Sequence, residues 1–163
     1  MTWQRTVALL TSIIWLGTAC ADEDTDTWTL DQRSYSLGGM GAFAEMVDAG
    51  VKKLALSTAL PADEMDFLIK HAERIAADHD VEIYRESDFL VTDLFSAELT
   101  DGMDVLLICH DEIRQEYMEL KAAKQALVAS NAYEGDARRK IAVRFGYLLS
   151  YSDEKIESLL SDR

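Results

Sequence analysis

The segment Lys52-Lys53-Leu54-Ala55-Leu56-Ser57 is followed by an amphipathic stretch over residues 62–78 and then by Val81-Glu82-Ile83-Tyr84-Arg85. The two apolar segments have the length of strands, and the stretch between them carries apolar residues at the spacing of one helix face. Strands joined through a helix are expected to be parallel neighbours, with a right-handed crossover. These residues therefore predict a strand–helix–strand unit at the centre of the fold.

Similar patterns predict further elements on both sides of this unit. Apolar residues on one side predict a short helix over Gly39–Gly50, and the run Val105-Leu-Leu-Ile-Cys109 predicts a third, buried strand. Residues 89–91 either continue the second strand or form another short one. A helix is predicted from Asp111, its expected N-cap, to about Ser130. A second helical region is predicted from Gly135 to the C-terminus, with a break near Gly146 or residues 151–153. Ser152 is the expected cap of the last short helix. The predicted fold class is α/β: a small three- to four-stranded, mainly parallel sheet covered by helices, with a helical C-terminal region.

Length and composition indicate one folded domain. The chain has 163 residues, 48% of them hydrophobic, so it can bury a core and is too apolar for intrinsic disorder. We assign residues 32–163 to a single α/β domain. The net charge of -14, from 30 acidic and 16 basic residues, excludes nucleic acid and an anionic membrane surface as general partners.

The N-terminus has the pattern of an export signal. Arg5 is followed by an almost wholly apolar stretch over residues 6–16, by small residues over 17–21 and by an acidic run from Asp22. The apolar stretch is too short to cross the roughly 30 Å of a bilayer core. We interpret residues 1–21 as a signal peptide and residues 22–31 as an acidic tether, so the domain is predicted to be exported.

Two cleavage sites are compatible with this signal. Ala19-Cys20-Ala21 fits the A-x-A rule, with cleavage before Asp22. The segment Leu16-Gly17-Thr18-Ala19-Cys20 resembles the lipobox of bacterial lipoproteins, and this resemblance implies cleavage before Cys20, which would carry a lipid. The protein is then periplasmic or a membrane-anchored lipoprotein in a bacterium, and otherwise secreted. Contact with a membrane is expected only through that anchor.

Reactive side chains are concentrated where the predicted strands end. Cys109 ends the third strand and His110 follows it, Ser57 ends the first, and Glu86 and Asp88 follow the second. In parallel sheets the carboxyl ends of the strands share one edge, where ligands bind. A thiolate assisted by a histidine could act as a nucleophile, and paired carboxylates could bind a cation or transfer protons. The alternative is that Cys109 is buried and that the carboxylates face solvent.

Two further groups could hold an anion. Gly39-Met40-Gly41-Ala42-Phe43-Ala44 formally matches the dinucleotide-binding fingerprint, in which glycines let backbone N–H groups approach phosphate at the start of a helix. The alternative is an ordinary glycine turn. The predicted last helical region carries a basic cluster that could bind an anionic ligand, or that could pair with the acidic residues 111–119 or face solvent. The cluster consists of Arg138, Arg139, Lys140 and Arg144.

No metal site is predicted, because His71 and His79 are two helical turns apart and the zinc-binding spacings of cysteine and histidine are missing. No cofactor is indicated. The preferred hypothesis is an exported binding or accessory module that acts on a small molecule or a protein partner of unidentified specificity. The alternative is a small enzyme whose site at the carboxyl edge of the sheet contains Cys109, His110, Glu86, Asp88 and Ser57.

Overall fold

The computed structural model describes residues 31–95 and 102–161. The predicted signal peptide, Cys20 and the tether up to residue 30 lie outside these ranges. Within them, no helix is long and apolar enough to cross a lipid bilayer. The helices of this part of the chain are α1 (Gln32–Asp48), α2 (Ala62–Asp78), α3 (Asp111–Ala129), α4 (Gly135–Leu148) and α5 (Asp153–Ser161), and its strands are β1 (Leu54–Leu56), β2 (Glu82–Glu86) and β3 (Val105–Cys109).

The three strands form a sheet in the order β1-β3-β2, and β3 is antiparallel to both of its neighbours. The prediction of a mainly parallel sheet is therefore wrong. Because β1 and β2 are each antiparallel to β3, they do run parallel to one another, as the helix between them requires. They are not neighbours, however, because β3, which follows residues 87–104 in the chain, lies between them. The segment over residues 89–91, a candidate for an extra strand, is not a strand.

Helices cover both faces of the sheet, which explains why β3 is buried along its whole length. Leu106 and Ile108 belong to a core cluster with apolar residues of α1 and α2. Leu107 and Cys109 belong to a second cluster, with apolar residues of α3, α4 and α5. The described residues therefore form two helical layers with a small sheet between them, and β3 is the only strand of this sheet with a partner on each edge.

Helix α2 has the bounds that the sequence predicted. Pro61 precedes its first residue, Asp63 and Glu64 lie in its first turn, and Met65, Leu68 and Ala72 are buried on its inner face. The acidic first turn suits the partial positive charge at a helix N-terminus. Helix α3 begins at Asp111, as predicted, but that residue is the first of the helix, and the N-cap position belongs to His110.

Helix α1 is longer than predicted, because it begins seven residues before Gly39. The Asp31 side chain caps it by accepting hydrogen bonds from the N–H groups of Arg33 and Ser34, both at 3.3 Å. Each glycine inside a helix costs about 1 kcal/mol relative to alanine. Burial of an apolar face offsets that cost, since Met40, Ala44 and Val47 are all buried.

The predicted break in the C-terminal region is confirmed. Helix α4 ends at Leu148 and α5 begins at Asp153, and Ser150 between them has a φ of 62°, in the left-handed region. Ser152 caps α5, since its hydroxyl accepts a hydrogen bond from the Lys155 N–H at 3.3 Å. This turn carries Leu149 and Tyr151 towards the edge of the sheet, where both line a pocket.

Candidate functional site

The antiparallel sheet separates the residues that the sequence placed at one edge. Cys109 lies opposite Leu54 and Glu82, at the beginnings of β1 and β2, whereas Glu86 lies opposite Val105. Four residues of extended strand, about 14 Å, separate these two ends of β3. Cys109 and His110 are therefore at one end of the sheet, and Ser57, Glu86 and Asp88 are at the other. They do not form a common site.

Cys109 is a core residue with no exposed surface. Burial, and after it the nearby carboxylate of Glu82, raises the pKa of the thiol to about 12. A thiol is nucleophilic only as the thiolate, which is scarce at neutral pH for such a group. The placement agrees with the buried alternative and offers no support for the nucleophile.

Glu86 and Asp88 hold one lysine of α3. The Lys121 ammonium is 3.1 Å from Glu86 Oε1 and 3.0 Å from Asp88 Oδ2, which ties the segment after β2 to that helix. The Ser57 hydroxyl is hydrogen-bonded to backbone groups: it accepts a hydrogen bond from the Leu106 N–H and donates one to the Thr58 carbonyl, both at 2.9 Å. These side chains hold this one end of the sheet in place.

The two candidate anion sites also differ from the expectation. Gly39 and Gly41 lie in the interior of α1, where backbone N–H groups serve the hydrogen bonds of the helix and cannot cradle a phosphate. On α4, Arg138 forms a bidentate pair with Asp93, with Nε 2.7 Å from Oδ2, and Arg139 pairs with Glu157. Lys140 and Arg144 are exposed. No three His, Cys, Asp or Glu residues of the described ranges are placed to hold a metal ion.

A cavity of about 460 Å³ lies along β1. Consecutive side chains of a strand point to opposite faces of the sheet, so a cavity that touches every residue over 54–59 must run along the edge of the strand. The rest of its wall is mainly aromatic and aliphatic, with one lysine. The lining residues outside 54–59 are Phe43, Lys52, Phe89, Phe95, Val105, Leu149 and Tyr151.

The hydrogen-bond register shows which backbone groups face this cavity. The Ser57 N–H donates to the Leu106 carbonyl at 3.0 Å, so Ser57 faces β3. Along a strand of an antiparallel pair, residues that direct their N–H and C=O groups towards the partner strand alternate with residues that direct them away from it. Leu54 and Leu56 therefore direct these groups away from β3, towards the open edge. In the described sheet no strand pairs with that edge.

Among the described residues that line this cavity, Lys52 alone is charged. Its ammonium donates to the Leu149 carbonyl at 3.0 Å and lies 5.8 Å from the centre of the Tyr151 ring. Burial lowers the pKa of Lys52. Among residues 31–95 and 102–161, no carboxylate lies within ion-pair distance of it. The described part of the cavity thus combines an apolar wall with one half-buried cation that has no counter-anion among these residues.

Sequence reasoning did not find this cavity, because it placed the site at the carboxyl ends of the strands. One signal was present. Lysine beside an edge strand is a common way in which proteins protect an unpaired edge, and the first predicted strand begins with Lys52-Lys53. The aromatic residues that complete the wall come from distant segments and carry no such signal.

Comparison with known proteins adds no relative: no protein-family model, no curated protein and no solved structure matches this chain. A function must therefore be inferred from the chemistry of the cavity itself.

Proposed function

We propose that this protein is a binding module for ligands that combine an apolar body with a carboxylate or a similar anion, and that the ligand lies in the cavity along β1. The volume of about 460 Å³ is within the range of roughly 300–1,000 Å³ that is usual for small-molecule sites. Aromatic and aliphatic side chains line most of the wall, and such a wall favours an apolar body by removing its surface from water.

The observation that carries the proposal is the position of Lys52. A cation that is partly removed from water is stabilised by an anion beside it, and the attraction is stronger there than at the surface because the effective dielectric constant is lower. Lys52 has a backbone carbonyl and an aromatic ring as partners, and no described carboxylate. An anionic group of the ligand would supply the missing charge.

The net charge of -14 does not oppose this proposal. At physiological ionic strength, charges further away than about 8 Å are largely screened, whereas a close, partly buried pair is screened much less. The local cation therefore governs the affinity of the cavity for an anion. We also propose, from residues 1–21, that the module works after export, either free or anchored through Cys20.

The test compares decanoate with decan-1-ol, which share a chain length and differ in charge. Binding of each to the full chain is measured by isothermal titration calorimetry, for the wild type, for Lys52→Met and for Lys53→Met. Lys53 is the matched control because it is an exposed lysine next in the chain that does not line the cavity.

Decanoate is expected to bind the wild type and Lys53→Met alike, and to bind Lys52→Met about 10-fold or more weakly, which is the usual range for loss of a hydrogen bond to a charged group. Decan-1-ol is expected to bind all three proteins equally. Equal affinity of both compounds for the wild type, or an equal loss in both lysine variants, would reject the proposal.

A further inference from the structure

The edge of β1 also indicates the shape of the ligand. Leu54 and Leu56 direct backbone N–H and C=O groups towards the cavity, as the register with β3 requires. Backbone polar groups next to an apolar wall are stabilised by hydrogen-bond partners. A fatty chain has no such partners, whereas an extended peptide presents one N–H and one C=O per residue at the spacing of a strand.

The accessibility of β1 changes along its length. Thr58 is exposed, Leu56 and Ser57 are half-buried, and Leu54 has no exposed surface. The edge is thus open at one end and closed at Leu54. Lys52 precedes the closed end by two residues and lines the same cavity. A strand added to this edge has to stop there, beside a cation.

From these observations we infer that the cavity binds the C-terminal segment of a polypeptide in extended conformation, as a strand antiparallel to β1 whose terminal carboxylate pairs with Lys52. This inference rests on the proposed function of the cavity. The direction follows from the charge: only an antiparallel peptide has its C-terminus next to the residues that precede β1.

The two walls of the cavity predict which side chains the peptide carries. Phe43, from α1, is on the side of the α1 and α2 layer, whereas Phe89 and Phe95 pack against the cluster formed with α3, α4 and α5. Successive side chains of an added strand would face these two walls in turn. Because both walls are apolar, consecutive apolar residues are expected at the C-terminus of the ligand, without the polar alternation of a surface strand.

The experiment uses fluorescein-labelled Ser-Ala-Val-Ile-Val peptides and the full chain, with fluorescence anisotropy as the readout. One peptide has a free C-terminal carboxylate, the second has a C-terminal amide, and the third is a free acid with backbone N-methyl groups on Ile and on the Val before it, one of which faces β1 in any register. The free acid is expected to bind about 10-fold or more tightly than the amide. Lys52→Met is expected to remove that preference and Lys53→Met to keep it. The N-methyl peptide is expected to bind weakly, although it is more apolar.

Each result supports or overturns the inference. Equal binding of acid and amide to the wild type, a comparison that needs no variant and no assumption about folding, would reject the carboxylate contact. Equal binding of the N-methyl peptide would reject pairing with β1. If decanoate binds through Lys52 and no peptide competes with it, the inference fails and the proposed function stands; if neither decanoate nor any peptide binds, both fail. A dimer in sedimentation equilibrium that Lys52→Met strengthens would instead mean that Lys52 protects the edge from a second copy of the chain.

Discussion

A Cβ atom built on Gly146 of α4 would lie 2.6 Å from Cγ1 of Ile156 in α5. The two helices thus pack through a glycine against an isoleucine that is 1% exposed. A contact this short cannot persist, so Gly146→Ala must displace the Ile156 side chain or move α5. We expect this change to lower the free energy of unfolding by about 1–3 kcal/mol, as overpacking usually does, in a urea titration followed by circular dichroism.

Gly39→Ala is the matched control for this prediction. It lies inside α1, and nothing comes within 4 Å of a Cβ built there. Alanine favours the helix by about 1 kcal/mol or less relative to glycine, so the control is expected to be neutral or stabilising. A Gly146→Ala variant that is as stable as the control would contradict the close packing of α4 on α5.

Asp104 should contribute to the dependence of stability on pH. It is a buried carboxylate, 6% exposed, that accepts a hydrogen bond from Arg85 Nε at 2.6 Å. Hydrogen bonds from Ser87 and from Arg85 hold the pKa of Asp104 below its usual value. Because the pKa is lower in the folded state, the carboxylate stabilises the fold above about pH 4, and that contribution is lost as the pH falls through the folded pKa.

Asp104→Asn is therefore expected to lower stability at neutral pH and to reduce the loss of stability in acid, as measured by urea unfolding over a series of pH values. Asp66→Asn is the control, since Asp66 pairs with the same guanidinium from a side chain that is 65% exposed. Exposed pairs contribute about 1 kcal/mol or less. An equal effect of both substitutions at every pH would contradict the role of burial.

Cys109 should be unreactive in the folded protein. The thiol has no exposed surface and a pKa raised to about 12 by burial. Iodoacetamide at mildly alkaline pH is expected to leave it unmodified without denaturant and to modify it completely in concentrated urea. Mass spectrometry of the Cys109 peptide reports this residue separately from Cys20. Rapid modification of Cys109 in the native protein would restore the nucleophile hypothesis.

Lys121 and Glu86 should be coupled in stability. Their charged groups are 3.1 Å apart, and their side chains are only 12% and 11% exposed. Lys121→Met leaves the Glu86 carboxylate partly buried without its cation, so we expect a loss of roughly 1–3 kcal/mol. Adding Glu86→Gln should recover part of that loss. Lys140→Met, a change of an exposed lysine on α4, controls for the loss of charge. Additive effects of Lys121→Met and Glu86→Gln on the free energy of unfolding, in a double-mutant cycle, would disprove the coupling.

Several elements could be predicted from local signals. Helix α2 keeps its predicted bounds because Pro61, the acidic first turn and the buried stripe all act within a few residues of each other. The same holds for Ser152, which caps α5 from one residue before the helix. The predicted α1 is too short because its glycines are typical of a turn. The signal for its true start was the capping carboxylate of Asp31.

The candidate site could not be predicted in this way. Lys52 meets Leu149 and Tyr151 only because the turn between α4 and α5 returns to the edge of the sheet. Phe89 and Phe95 reach the same cavity from the segment between β2 and β3. No spacing in the sequence relates these three segments, since their contacts depend on how the layers pack.

Apart from the start of α1 and the candidate strand at residues 89–91, the sequence by itself determined which residues are helical, which short runs are extended and which faces are apolar, because periodicity and capping act over one or two turns. Only the tertiary structure decided the direction of β3 and, with it, the edge that is left open. A strand covered by helices on both faces has a continuous apolar sequence, whether its neighbouring strands are parallel or antiparallel to it. Val105–Cys109 has that pattern, so its direction depends on the path by which the chain returns to the sheet, and that path placed β3 between β1 and β2.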